Sequence, residues 1–204
     1  MKNLCSIAIS LAALLILVPS LQVQVPADWK VIGQPRSWVD TIAMTGMDDL
    51  IWSVEADGTL FKNDPKSGHY EQVGPKGLFG QASMLEGLDG ALYTVEGGTL
   101  YRTSTKAGSW QQVGKKGDWA KTVAAVGMNG YLWSIEEDGT LFRTETNGHY
   151  EQIGPRSEFR HATLLAAMDG RLWTVENGTL HATDPARGIW QTVGEPGEWA
   201  KPSR

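Results

Sequence analysis

Thiols are almost absent from this chain of 204 residues. Its only cysteine is Cys5, inside an apolar run near the N-terminus, so the rest of the chain holds no disulfide and no thiolate metal site. Three catalytic signatures are also missing: no Gly-x-Ser-x-Gly, no P-loop and no dinucleotide glycine fingerprint. Cations are in the minority, with 18 Lys and Arg against 23 Asp and Glu and a formal net charge of -5. A mildly acidic surface argues against nucleic acid or an anionic membrane as the main partner. His69, His149, His161 and His181 show no metal-ligand spacing, so no metal and no other cofactor is expected, and no constellation of base and nucleophile marks an enzyme.

Long apolar runs occur in one place only. Lys2 precedes an apolar stretch from Leu4 to Leu21 that gives way to small and polar residues, the pattern of a secretory signal. Cys5 lies too early to be a lipoprotein anchor. The expectation is a signal over 1–25, cut between Ser20 and Pro26, and a single domain over 26–204. An uncleaved anchor is the competing reading, although the run is near the lower limit for spanning a bilayer. Export without disulfides fits a secreted or periplasmic protein with no membrane association after cleavage.

What the chain has in abundance is repetition. Gly46–Glu55 returns as Gly87–Glu96, Gly127–Glu136 and Ala167–Glu176, a period of ~40 residues, which is the mark of a β-propeller or a related β-array. The units span about 38–80, 81–120, 121–160 and 161–200. Each holds four strand signals, which we call a to d. Strand a is short and aliphatic. The a–b turns Asp89-Gly90, Asn129-Gly130 and Asp169-Gly170 suit a type I′ hairpin, and Asp48-Asp49 is a weaker version. Strand b carries Trp52, Tyr93, Trp133 and Trp173 on one face and Ile51, Leu92, Leu132 and Leu172 on the other, so it is sandwiched between sheets. Strand d recurs at Tyr70, Trp110, Tyr150 and Trp190, and a fifth copy, Asp28–Gly33, stands in front. The expected fold is therefore all-β: a propeller of four complete four-stranded blades plus a partial fifth. The spare strand either joins the edge of the fourth blade or marks an incomplete fifth. An unclosed edge also allows a homo-oligomer. Units one and three share Gly-His-Tyr-Glu-Gln, whereas two and four share Trp-Gln, which points to a duplicated two-blade block.

In an antiparallel meander the b–c turns and d–a loops share one rim. That rim gathers Glu55, Glu96, Glu136 and Glu176 at the ends of strands b. It also gathers the d–a loop aromatics Trp38, Phe79, Trp119, Phe159 and Trp199, with cations such as Arg36, Lys76, Lys116 and Arg156. A ring beside a carboxylate suits a sugar, since the ring stacks on the apolar C–H face and the carboxylate accepts hydroxyl hydrogen bonds. The alternative is structural: the Glu side chains accept N–H groups of the adjacent hairpin, and the loop rings plug the gaps between blades.

Leu132–Arg143 followed by Gly148–Gly154 resembles the tectonin and tachylectin-type propeller repeats, in which a Leu-Trp-x-Val strand leads to Asp-Gly-x-Leu-Tyr-Arg and Gly-x-Trp-x-x-Val-Gly. The likeness runs from about Asp28 to Trp199. It implies a lectin with sites between blades, for N-acetylated sugars or lipopolysaccharide, or else an interaction platform. Rings of that family hold more blades than the four and a fraction supplied here. The functional expectation is an exported, non-enzymatic carbohydrate-binding propeller whose partner is a glycan or glycoconjugate. A scaffold binding protein partners on the same rim is the alternative.

Overall fold

The computed structural model describes residues 32–34, 37–106, 110–185 and 189–200. The expected signal, most of the spare strand Asp28–Gly33, and Arg36 lie outside the described residues. Each repeat folds as one four-stranded antiparallel meander. The first blade is β1 (Thr41–Met47), β2 (Leu50–Glu55), β3 (Leu60–Asn63) and β4 (Tyr70–Val73). The second is β5 (Ala82–Leu88), β6 (Ala91–Glu96), β7 (Thr99–Ser104) and β8 (Trp110–Val113). The third is β9 (Thr122–Met128), β10 (Tyr131–Glu136), β11 (Leu141–Glu145) and β12 (Tyr150–Ile153). The fourth is β13 (Ala162–Met168), β14 (Arg171–Glu176), β15 (Thr179–Asp184) and β16 (Ile189–Val193). No helix occurs among the described residues. The fold is a four-bladed β-propeller.

Turn chemistry sets the registers. At all four a–b turns both central residues have positive φ, as a type I′ hairpin requires: Asp89-Gly90, Asn129-Gly130, Asp169-Gly170, and also Asp48 (φ 54) and Asp49 (φ 60). The first blade thus adopts the same turn without the glycine that makes it easy. At the far end of each a–b pair the register shifts by a bulge, and the result is common to all blades. Thr41 pairs with Glu55, Ala82 with Glu96, Thr122 with Glu136 and Ala162 with Glu176. A bulge leaves backbone groups without ladder partners, and strand b supplies them. Thr94 Oγ1 donates to Met84 O at 2.9 Å and Thr174 Oγ1 to Leu164 O at 2.7 Å.

Each blade has a front face, toward the next blade in chain order, and a back face. Both carry apolar residues, and successive blades in chain order cover one another. Front residues Trp52, Val54, Leu60 and Val73 share one core with Leu85 and Leu92 from the back of the second blade. Tyr93, Val95, Leu100 and Val113 meet Leu132 in the same way, and Trp133, Ile135 and Leu141 meet Leu172. Each such side chain removed from water contributes about 1.5–3 kcal/mol. The indole N–H groups of Trp52, Trp133 and Trp173 all donate to the last carbonyl of their own strand a, Met47, Met128 and Met168, so the polar tip is satisfied in every blade that carries Trp there.

The innermost strands pack in chain order, β1 on β5, β5 on β9 and β9 on β13. The approach is close enough to require glycine: a Cβ on Gly127 would lie 2.7 Å from the carbonyl oxygen of Gly87. Neighbouring side chains finish these contacts. Thr45 Oγ1 accepts the N–H of Gly87 at 3.0 Å, and the Glu86 carboxylate accepts that of Gly127. No comparable packing joins β13 to β1 among the described residues, and Gly46 has nothing within 4 Å of its Cβ position. The seam shows in exposure as well. Met168 is 56% exposed where Leu88 and Met128 are 6% and 7%, and Met44 is 55% exposed where Leu85 is 2%.

The end of the spare strand has a definite seat. Gly33 N lies 2.6 Å from the Cβ position of Gly68, just as Gly114 N lies 2.4 Å from that of Gly148. Gly114 ends strand d of the blade that precedes Gly148. Gly33 therefore sits where strand d of a blade preceding the first would end.

Two predictions follow from strand a and its turn. Replacing Asp49 by Gly removes a left-handed non-glycine residue, and the urea midpoint should rise by the equivalent of about 0.5–1 kcal/mol. Glu86 is pushed up from 4.5 to about 8 by burial, against the opposing effect of the Gly127 N–H. The unfolded chain therefore loses this proton first, and stability falls as pH rises from 4.5 toward 8. Glu86→Gln should match the wild type near pH 4 and exceed it at pH 8, by up to roughly 4 kcal/mol, as read by denaturant unfolding across that range.

Candidate functional site

The rim expected from the meander is held together by its own backbone. In the four d–a loops that follow a blade, the backbone N–H of the aromatic residue donates to the glycine carbonyl of that blade's b–c turn: Phe79 to Gly58, Trp119 to Gly98, Phe159 to Gly139 and Trp199 to Gly178. Side chains reinforce the link. Thr99 Oγ1 accepts from Gly117 N and Thr179 Oγ1 from Gly197 N, while Lys76 Nζ lies 2.9 Å from Asp57. The carboxyl of Asp57 is lowered to about 2, chiefly by hydrogen bonds from Thr59 and then by Lys76.

The Glu side chains do not cap the hairpin. That work belongs to Asp57 and Asp138, which accept the N–H groups of Thr59 and Thr140. The Glu residues reach across to the start of strand a, where the bulge places a partner. Thr41 Oγ1 donates to Glu55 Oε1 at 2.8 Å, the N–H of Gln81 donates to Glu96, and His161 N donates to Glu176 Oε1 at 3.2 Å. Burial raises the carboxyls of Glu96 and Glu136, and for Glu136 the nearby Asp138 and Asp118 add to the rise. Glu158 is also raised, by burial and then by Glu176.

Three of these Glu residues open into equivalent grooves beside the back faces of their blades. Around Glu55 is a cavity of ≈ 470 Å³ with Trp38, Phe61 and Tyr70 as its aromatic walls, and with Asn63 and Asp57. Around Glu96 is one of ≈ 540 Å³ with Tyr101, Trp110, Gln81 and Lys116. Around Glu136 is one of ≈ 220 Å³ with Trp119, Phe142, Tyr150 and Asp118. In the first and third, Phe61 stands edge-on to Tyr70 at 5.7 Å and Phe142 to Tyr150 at 5.8 Å.

The d–a aromatics divide. Trp38 lines the first groove beside Glu55, whereas Trp119, at the edge of the third, is 7% exposed and packs into the core with Tyr93, Val95 and Leu132. Phe79 and Phe159 are 0% and 4% exposed and lie against Trp110 and Trp190 at 4.4 and 4.5 Å, so both serve as plugs between blades. Trp199, at 55% exposed, faces the seam. Sequence reasoning missed Phe61, Tyr101 and Phe142 on strand c, Tyr70 and Tyr150 on strand d, and Asp118. The signal for the rings was their recurrence on one face of strands c and d. The outer-strand cations Lys62 and Arg143 pair with Glu71 and Glu151. Among the described residues no cluster of His, Cys, Asp and Glu could hold a metal ion, and no helix is long and apolar enough to cross a membrane.

No protein-family model matches the chain, and no curated protein does. Solved structures match in fold. Virginiamycin B lyase from Staphylococcus aureus aligns over 79% of this chain and 58% of its own, with 18% identity and a TM-score of 0.52. YCF48, in a structure bound to a D1 peptide, aligns over 75% of this chain and 54% of its own, with 13% identity and a TM-score of 0.54. The chain thus spans little more than half the length of either, and identities this low show a common propeller fold and nothing finer.

The unequal fates of equivalent loop rings are measurable. Phe79→Ala should destabilise the protein by about 3–5 kcal/mol, as cavity-forming truncations in cores do. Trp199→Ala should change it by less than about 1 kcal/mol. Urea unfolding of the two variants checks the contrast.

Proposed function

We propose that this protein is an exported, non-enzymatic carbohydrate-binding propeller that holds glycans or glycoconjugates in the grooves of the b–c and d–a rim. The observation that supports this reading best is the recurrence of one arrangement, a Glu carboxylate facing two or more aromatic rings, in three grooves. Trp38, Phe61 and Tyr70 would stack on the C–H faces of a pyranose and Glu55 would accept from its hydroxyls; Phe142, Tyr150 and Glu136 repeat the scheme. Each groove is small and open, so single-site affinity is weak, and repetition supplies avidity on a multivalent surface. A second reading is favoured by the seam, where Leu164, Met168 and Trp199 expose apolar surface. A propeller of similar fold, YCF48, has been solved with a peptide bound, and a protein partner would sit on that patch.

A glycan array probed with the full mature chain tests the main reading. The wild type should bind a subset of glycans, and the double variant Glu55→Gln with Glu136→Gln should lose at least about tenfold in apparent affinity, the equivalent of one or two hydrogen bonds. Binding to no glycan at any chain density would sink it.

A further inference from the structure

The contact between successive blades is made three times within the chain, and each of its halves recurs unmatched at the seam among the described residues. On the front of the fourth blade Leu164, Met168, Val193 and Trp199 are exposed, although Val73 and Val113, the counterparts of Val193, are buried. On the back of the first blade Met44 is exposed where its counterpart Leu85 is buried. Gly46 is an independent sign. A glycine weakens a strand interior and often marks the close approach of another backbone. Gly87 and Gly127 fit that rule, since a Cβ on either would lie 2.7 Å from an atom of the preceding blade, Met47 Cβ or Gly87 O. Gly46 holds the same position outside the left-handed region, with nothing within 4 Å of its Cβ site. It suits a neighbour that the described residues do not contain. Charge matches across the seam as well. The second residue of each a–b turn faces the first residue of the turn before it: the Cβ site of Gly130 lies 3.7 Å from the Asp89 carboxylate, and that of Gly170 3.9 Å from the Asn129 amide. In the first unit this second residue is Asp49, and its counterpart across the seam is Asp169. The fourth blade also carries exposed Arg171 on its front, where the other blades have Leu50, Ala91 and Tyr131. Arg171 lines one cavity with Asp169, so an incoming Asp49 meets a cation and not Asp169 alone.

We propose that a second copy of this chain fills the seam. The front of the fourth blade of one copy packs on the back of the first blade of the other. A two-fold axis repeats the contact, so two copies close one ring and leave neither face open. A second copy carries both halves of the contact, and they match each other as the halves buried inside the chain do. Apolar burial drives the association, and the Arg171–Asp49 pair fixes its register. The seat at Gly68 changes occupant. Gly33 and Gly194 are equivalent ends of strand d, and Gly33 N already lies 2.6 Å from the Cβ position of Gly68, so only one of them fits there. Assembly therefore replaces Gly33 with Gly194 of the other copy. The inference does not depend on the carbohydrate reading, and it gives the seam a definite occupant.

Sedimentation of the mature chain over a range of concentrations tests this. It should show a monomer in equilibrium with a dimer and no larger species. Met168→Asp and Arg171→Glu should each weaken the dimer by at least about tenfold. Gly46→Leu should do the same. Its melting temperature, taken where the wild type is monomeric, should equal or exceed the wild-type value, because the added side chain meets nothing in the single chain. Glu71→Gln, on an outer strand, is the control. A covalent trap reads the geometry. Between the second and third blades the Cβ site of Gly127 lies 3.2 Å from Leu88 Cβ, near the about 3.5–4.5 Å that separates Cβ atoms in a disulfide. The equivalent pair at the seam is Gly46 with Met168. Cys5 is the chain's only cysteine, so the mature chain has no competing thiol. Gly46→Cys combined with Met168→Cys, oxidised by glutathione disulfide, should give a covalent dimer. The same bond formed within one chain would show that the chain closes its own ring, and it overturns the proposal. So do a monomer at every concentration, a species that grows without limit, and a dimer unaffected by all three point variants. Neither readout involves a sugar, so the carbohydrate reading stands or falls separately.

Discussion

The contact between the front of one blade and the back of the next is what the rest of the molecule depends on. A four-stranded sheet with Trp or Tyr and Val on one face and Leu on the other cannot stand in water alone. The first three blades are stabilised where Trp52, Tyr93 and Trp133 are covered by Leu92, Leu132 and Leu172 of the next blade. That contact brings the inner strands so close that Gly127 tolerates no Cβ, and it draws Glu86 into an apolar setting where the carboxyl is held protonated. The d–a loops, bonded to the b–c turns, supply one end of the grooves.

At the seam the same residue types meet no partner among the described residues. Trp199, Met168 and Leu164 are chemically the equals of Trp119, Leu88 and Met84, and they differ only in what lies in front of them. Gly33, seated against Gly68 as Gly114 is against Gly148, shows that the back of the first blade is arranged to meet a preceding strand d. Among the described residues the seam is therefore a place where the repeat's own packing between inner strands is not made, by apolar side chains equivalent to buried ones in the other blades.

Much of this was legible in the residues. The Asp-Gly and Asn-Gly dipeptides marked the a–b turns, and period-2 alternation with apolar residues on both faces marked strand b as sandwiched. The shared rim also followed from the meander, since Phe79, Trp119, Phe159 and Trp199 all bond the b–c turn. The fate of those rings was not legible. Phe79 and Trp38 hold equivalent positions, yet one is a plug and the other a groove wall. The difference lies in the neighbouring blade: Trp110 fills the space over Phe79, and Tyr70 leaves it open beside Trp38. Nor did periodicity reveal that a bulge would turn each Glu toward strand a. That detail makes the Thr41-to-Ala82 change decisive for Glu96, because a one-residue shift in register would have paired Glu96 with a different donor.

The central claim is that blade packing sets Glu carboxylates against aromatic walls in repeated grooves that receive neutral sugar rings. A crystal structure of the protein soaked in a neutral methyl glycoside tests it most directly. The account predicts a pyranose in at least one of the three grooves, stacked on its aromatic wall and within hydrogen-bond distance of Glu55, Glu96 or Glu136. Sugar bound on the a–b and c–d end of the blades, with all three grooves filled only by solvent, would contradict it.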